Sequence, residues 1–191
     1  MLRHWLISST TYGTWLPGDE RGFVSTVENP PGPRVRHNQF GTPYDIDMPA
    51  LRESARALMK GSPIFLDLAK AELIGAQFQE TTTFRNWEMH GFSIMTNHFH
   101  IVVTAGDEVP SSSILGDFKS YASRVLNRRY GKPVNGTLWT ESGSRRPLPS
   151  EKALEAAIDY VLYRQPNPLL VWSNQLGFLI AGKPRSPERG A

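Results

Sequence analysis

The sequence contains no cysteine, which excludes disulfide bonds, thiolate metal sites and cysteine nucleophiles. It also lacks any run that approaches the roughly 18 consecutive apolar residues of a membrane helix. The apolar stretch at the start of the chain, within residues 1–8, is too short for a secretory signal peptide. We therefore expect a cytoplasmic protein with no membrane partner.

A strong excess of one charge is also absent: charged residues make up an ordinary 20% of the sequence and the formal net charge is only +3, although the pI is about 9.3. The positive residues are unevenly spread, and one stretch contains Lys119, Arg124, Arg128, Arg129 and Lys132, followed by Arg145 and Arg146. Such clustering favours a face that binds phosphate groups. A solvated helix face beside a loop explains the same residues equally well.

The length of 191 residues fits one domain. We expect that domain to span residues 1–182, with an irregular insertion at 19–63, where proline and glycine are frequent and no period is sustained. A short helix over 50–59 is the one element expected inside it. The tail at 183–191 is expected to be disordered.

Hydrophobic periodicity predicts strands over 3–11, 87–95 and 98–104, an edge strand over 137–140, and helices over 63–86, 111–130 and 150–164. In the second strand Met89, Gly91 and Ser93 are expected on one face, and Phe92 and Ile94 on the other. The order β–α–β–β–α–β–α predicts an α+β, ferredoxin-like sandwich with an antiparallel sheet and helices packed on one side.

His98 and His100 begin the third predicted strand and are separated by Phe99. Because side chains alternate along a strand, both imidazoles are expected on one face. Imidazole is a versatile metal ligand, so the pair is a candidate metal site. Taken alone, the pair is more typical of histidines at a sheet end that bind no metal.

The segment Met95-Thr96-Asn97-His98-Phe99-His100-Ile101-Val102-Val103 resembles the signature of the single-tyrosine HUH transposases of the insertion-sequence 200 type, which include the repeat-associated tyrosine transposases. Three later segments are also similar to that family. They are a basic helix (Phe118 to Asn127), a tryptophan segment (Leu138 to Thr140) and a tyrosine helix (Ala157 to Val161). The resemblance spans most of residues 3–172.

The resemblance implies a DNA transposase that cleaves and rejoins single-stranded DNA through a 5′-phosphotyrosine. It selects Tyr160 as the nucleophile; Tyr163 is the alternative. It further implies Mg²⁺ or Mn²⁺ on His98 and His100, hairpin-bearing single-stranded DNA at element ends as substrate, and a homodimer. The candidate DNA-binding residues are Lys119, Arg124, Arg128, Arg145, Arg146 and Arg164.

One position departs from the family pattern, which has a glutamine four residues after the tyrosine as third metal ligand. Here that position is Arg164, and the glutamine is Gln165. Because Pro166 disfavours α conformation at Gln165, the amide could still turn toward the metal, and Gln165 is our candidate third ligand. Alternatively, Arg164 binds a phosphate or another residue, such as His90, completes the site.

Two other functions remain open on the sequence. The first is a non-catalytic module that binds single-stranded nucleic acid, since ferredoxin-like sheets also serve as RNA-binding platforms. The second is a metal-dependent hydrolase that activates water and needs no tyrosine.

Overall fold

The computed structural model describes residues 1–20, 26–27, 35–36 and 48–180. Its centre is a six-stranded sheet in which every pairing is antiparallel, with the order β6-β1-β5-β4-β7-β8. The strands are β1 (Leu2–Thr10), β4 (Glu88–Ile94), β5 (His98–Gly106), β6 (Ser144–Leu148), β7 (Leu170–Ser173) and β8 (Gly177–Ile180). A separate pair joins β2 (Thr26–Val27) and β3 (Val35–Arg36).

The helices are α1 (Pro49–Ala57), α2 (Leu68–Arg85), α3 (Ser111–Tyr130) and α4 (Glu151–Tyr163). Their ends follow from local chemistry. The Asp67 carboxylate caps α2 by accepting from the Lys70 backbone N–H at 2.9 Å, and the Ser150 hydroxyl caps α4 by accepting from the Ala153 N–H at 3.2 Å. The predicted bounds of the second main helix, 111–130, are confirmed by α3.

The α+β class and the antiparallel sheet are confirmed, but the helices do not all lie on one side. On one face of the sheet, Phe99, Ile101 and Val103 of β5 pack in the main core with α2 and α3. On the other face, Val102 joins a second core with Leu148 and with Leu154, Ala157 and Val161 of α4. Because the apolar run 101–103 buries both faces of β5, a helix is needed on each.

Two details of the predicted strands were wrong. The alternation expected for β4 is interrupted at His90, because the register jumps between Met89 and Gly91. This bulge turns Met89 toward the same core as Phe92. The edge strand predicted at 137–140 is only one bridge between Thr11 and Trp139, and β6, β7 and β8 were not predicted at all.

The short helix expected within 50–59 is present as α1. Most of the 19–63 insertion and the whole 183–191 tail lie outside the described residues, so the disorder of the tail and the division at 182 stay predictions. Within the described part of the chain, no helix is both long enough and apolar enough to cross a membrane.

Candidate active site

His98 and His100 are the first and third residues of β5 and lie on the face that α4 covers. Their ring centroids are 5.0 Å apart and the ring planes are inclined by 82°. Period two of the strand places both rings on one face, as the sequence predicts. The pair lies at the end of the sheet next to the turn that joins β4 to β5.

His100 is held between neighbouring strands and α4. Ser8 of β1 is its cross-strand partner, and the Ser8 Oγ lies 2.5 Å from His100 Nδ1. Burial lowers the pKa of His100 to about 3, with a further lowering from His98 and an opposing hydrogen bond from Gln165. The ring is therefore neutral at physiological pH, which is the form that can ligate a metal.

The orientation of His98 is set by the turn residue before it. Asn97 Oδ1 lies 2.6 Å from His98 Nδ1. An amide oxygen can only accept, so with this amide orientation the proton is on Nδ1 and the lone pair of the imidazole is on Nε2.

Tyr160 lies on α4 directly beside this pair. Its ring centroid is 5.4 Å from that of His100, and 40% of its surface is exposed. The helix stripe of Leu154, Ala157 and Val161 is buried against the sheet, which fixes the side of the helix on which Tyr160 emerges. Tyr160 thus combines contact with the histidine pair and access from solvent.

The structure distinguishes the two residues that follow the tyrosine helix. Arg164 is exposed, and its Nε donates to Asp159 Oδ2 at 2.6 Å. Gln165 is only 3% exposed, its Nε2 donates to the Tyr160 carbonyl at 3.1 Å, and its side chain acts on His100 by raising the pKa of that ring. Because α4 ends at Tyr163, Gln165 no longer follows helical spacing and turns inward.

His90 does not belong to this group. Its Nε2 lies 2.7 Å from Thr104 Oγ1, and His4 Nδ1 lies 2.6 Å from the same hydroxyl. The strand register pairs His100 with Ser93 instead. The alternative in which His90 completes the metal site is therefore wrong, and the His4–Thr104–His90 cluster is a separate feature that the sequence did not indicate.

The donors at the site fit a divalent cation. Two neutral imidazoles and one amide oxygen are suitable ligands, and phosphate oxygens of a substrate can complete the shell. Within the described residues, no group of three or more His, Cys, Asp or Glu side chains could hold a metal. A glutamine ligand is consistent with this finding, because the site then needs only two histidines.

The predicted DNA-binding residues do not form one surface. Lys119 Nζ is 2.5 Å from the Thr140 carbonyl oxygen and also donates to the carbonyls of Glu141 and Ser142, and burial lowers the pKa of Lys119. The Arg124 guanidinium lies 4.9 Å from the ring centroid of Tyr121. Both are on α3, across the sheet from the histidines, as is the exposed Arg128.

Arg145 and Arg146 are exposed residues of β6 rather than of a loop. Arg146 pairs with Leu6, whose side chain packs in the core under α4, whereas Arg145 pairs with Ile7 of the main core. Cross-strand partners share a face, so Arg146 is on the face of the histidines and Arg145 on the opposite one.

Comparison with known protein families gives one match. The family model described as "Transposase IS200 like" matches residues 65–160, about half of the chain. No curated protein gives a match.

Two solved structures are similar in fold. One is described as a REP-associated tyrosine transposase bound to a REP hairpin, with 10% identity and a TM-score of 0.45; it covers 84% of this chain, and this chain spans 64% of it. The other is a candidate transposase from Deinococcus radiodurans R1, with 11% identity, a TM-score of 0.44, and coverage of 84% of this chain and 89% of that one.

Proposed function

Because this chain belongs to the IS200-like transposase family, we propose that it cleaves and rejoins single-stranded DNA through a covalent bond to Tyr160. The observation that carries the proposal is the grouping of His98, His100, Gln165 and Tyr160 at one end of the sheet, beneath α4. Tyr160 is the tyrosine whose ring contacts His100.

Tyr160 is the proposed nucleophile. Its Oη attacks the phosphorus, the P–O3′ bond breaks, and the leaving oxygen takes a proton to become a 3′-hydroxyl. The product is a 5′-phosphotyrosine that conserves the energy of the phosphodiester, so a DNA 3′-hydroxyl can reverse the attack without ATP. The partial exposure of Tyr160 allows a DNA strand to reach it.

His98, His100 and Gln165 are the proposed ligands of a divalent metal, Mg²⁺ or Mn²⁺. When bound, the ion supplies Lewis-acid activation of the phosphodiester and neutralises its charge. Two of these side chains are in a state suited to metal binding, because His100 stays neutral and the Gln165 amide is buried beside it.

The proposed substrate is hairpin-bearing single-stranded DNA at element ends, bound by a homodimer in the cytoplasm. Arg146 is the predicted DNA contact on the catalytic face, and Arg164 is exposed at the end of α4. Arg124, Arg128 and Arg145 would contact DNA only where a strand passes to the other face. Lys119 is not among the proposed DNA contacts, because its ammonium already donates to three backbone carbonyls.

The test is incubation of the protein with end-labelled single-stranded DNA and Mn²⁺, followed by a denaturing gel. We expect a covalent adduct that Tyr160→Phe abolishes and that the matched control Tyr163→Phe retains. Cleavage without an adduct would indicate the hydrolase, and binding without cleavage would indicate the non-catalytic module. An adduct that is lost only in Tyr163→Phe would move the nucleophile to Tyr163.

A further inference from the structure

We propose that Ser8 is a positioning residue whose hydroxyl holds Nδ1 of His100 and thereby presents the Nε2 lone pair of the ring to the metal. The inference rests on the proposed function of the site, but it concerns a residue of β1 that neither the motif nor the family match contains, since that match begins at residue 65.

The first step is the contact itself. Ser8 and His100 are direct partners across the β1–β5 ladder, and Ser8 Oγ lies 2.5 Å from His100 Nδ1. Both side chains lie on the face that α4 covers. Because this contact occupies Nδ1, Nε2 is the nitrogen of His100 that can bind the metal.

The second step is the position of Gln165, which is buried beside His100. Gln165 uses its Nε2 to donate to the Tyr160 carbonyl, so its Oε1 is the end that can accept from the imidazole. With its Nε2 engaged in this way, Gln165 has only Oε1 to offer to an ion bound at the site.

The third step is the property that only a hydroxyl brings. In the tautomer with the proton on Nε2, the Ser8 hydroxyl donates to Nδ1. In the tautomer with the proton on Nδ1, the same oxygen accepts from Nδ1–H. A metal that takes the Nε2 lone pair requires the second of these tautomers, in which Ser8 supplies the acceptor for Nδ1–H. With alanine at this position, the buried Nδ1–H would have no acceptor from β1, and the ligating tautomer would be disfavoured.

A matched control is provided by a second serine beside the same ring. Ser93 of β4 is the partner of His100 on the opposite side, is fully buried, and its Oγ has no hydrogen-bond partner among the described residues. Ser8→Ala and Ser93→Ala therefore remove the same atom on either side of His100, but only the first removes a hydrogen bond. Ser8→Thr keeps the hydroxyl and suits a strand.

Two readouts other than catalysis test the proposal on the full chain. Long-range ¹H–¹⁵N correlation spectra, assigned with His100→Gln, report the tautomer of His100 without metal, and electron paramagnetic resonance of free Mn²⁺ reports affinity. We expect Ser8→Ala to shift His100 toward the Nε2–H tautomer and to weaken Mn²⁺ binding about 10- to 100-fold, the usual effect of losing such a partner of a metal-ligating histidine. Ser8→Thr and Ser93→Ala should behave as the wild type.

An unchanged tautomer in a folded Ser8→Ala protein, or an equal shift in Ser93→Ala, would overturn the proposal. If Ser8→Ala does not fold, Ser8→Thr and Ser8→Asn test the proposal instead. Loss of the wild-type tautomer pattern in Ser8→Thr, which keeps the hydroxyl, would contradict the proposed role of Ser8. Retention of that pattern in a Ser8→Asn protein whose side chain does not reach the ring would contradict it as well. The tautomer readout needs no cleavage, so a protein that forms no DNA adduct but shows the expected shift would contradict the proposed function and leave the role of Ser8 supported.

Discussion

Replacement of the two residues that follow the tyrosine helix separates the roles that the sequence left open. In Gln165→Ala the buried side chain beside His100 is removed, whereas in Arg164→Ala an exposed guanidinium paired with Asp159 is removed. We expect only Gln165→Ala to impair the metal site. Gln165→Glu, which keeps an oxygen at the same place, should retain metal binding.

The magnitudes follow from burial and from the partners that remain. The Tyr160 carbonyl still accepts from the Arg164 backbone N–H at 3.2 Å when the Gln165 amide is lost. The buried Gln165 side chain and its hydrogen bond to that carbonyl are then lost, so the free energy of unfolding should fall by about 1–3 kcal/mol. Loss of the Arg164 ion pair, whose side chains are 59% and 36% exposed, should change it by about 0–1 kcal/mol.

The assay is Mn²⁺ affinity, measured by electron paramagnetic resonance, together with thermal unfolding of the same samples. Losing an outer partner of a ligand typically weakens a metal by about 10- to 100-fold, so loss of a direct ligand in Gln165→Ala should weaken Mn²⁺ at least 10-fold. Arg164→Ala should bind Mn²⁺ as the wild type does. The opposite result, with affinity lost in Arg164→Ala and kept in Gln165→Ala, would refute the assignment of Gln165.

Three further predictions rest on separate contacts. Lys119→Met should lower the free energy of unfolding by about 1–3 kcal/mol in urea denaturation, because carbonyls of the loop at 140–142 lose a charged donor; an unchanged midpoint would contradict this. Arg146→Ala should reduce the slope of the logarithm of the single-stranded DNA binding constant against log salt by about 0.7, and it should reduce adduct formation. Arg145→Ala should leave the adduct unchanged because Arg145 lies on the other face of the sheet. Equal effects of the two substitutions would contradict the assignment of these arginines to opposite faces. Thr104→Val should destabilise the fold by about 1–3 kcal/mol, since two imidazole nitrogens lose their common hydroxyl, and calorimetry with no loss of stability would show that this hydroxyl contributes nothing.

Local patterns accounted for much of the architecture. The helix at 111–130 was predicted to the residue, and Gly131, with a φ of +82°, ends it as expected. The serines at its start lie in the first turn, and Pro110 is the N-cap with no side-chain hydrogen bond. The strand at His98 was predicted from its apolar run. In contrast, β6 reads Ser-Arg-Arg-Pro-Leu, and an exposed edge strand needs no apolar alternation, so its sequence carried no strand signal.

The candidate site also has features that the sequence predicted and features that only the structure showed. The sequence by itself determined that His98 and His100 share a face, because that follows from the period of any strand, and it placed Tyr160 and Gln165 near the end of one helix. Only the tertiary structure decided that α4 crosses to the histidine face, that Gln165 rather than Arg164 turns toward His100, and that Ser8 meets Nδ1 of that ring. These relations depend on the strand register and on where a helix packs, and both are set by contacts between residues far apart in the chain, which local periodicity does not encode.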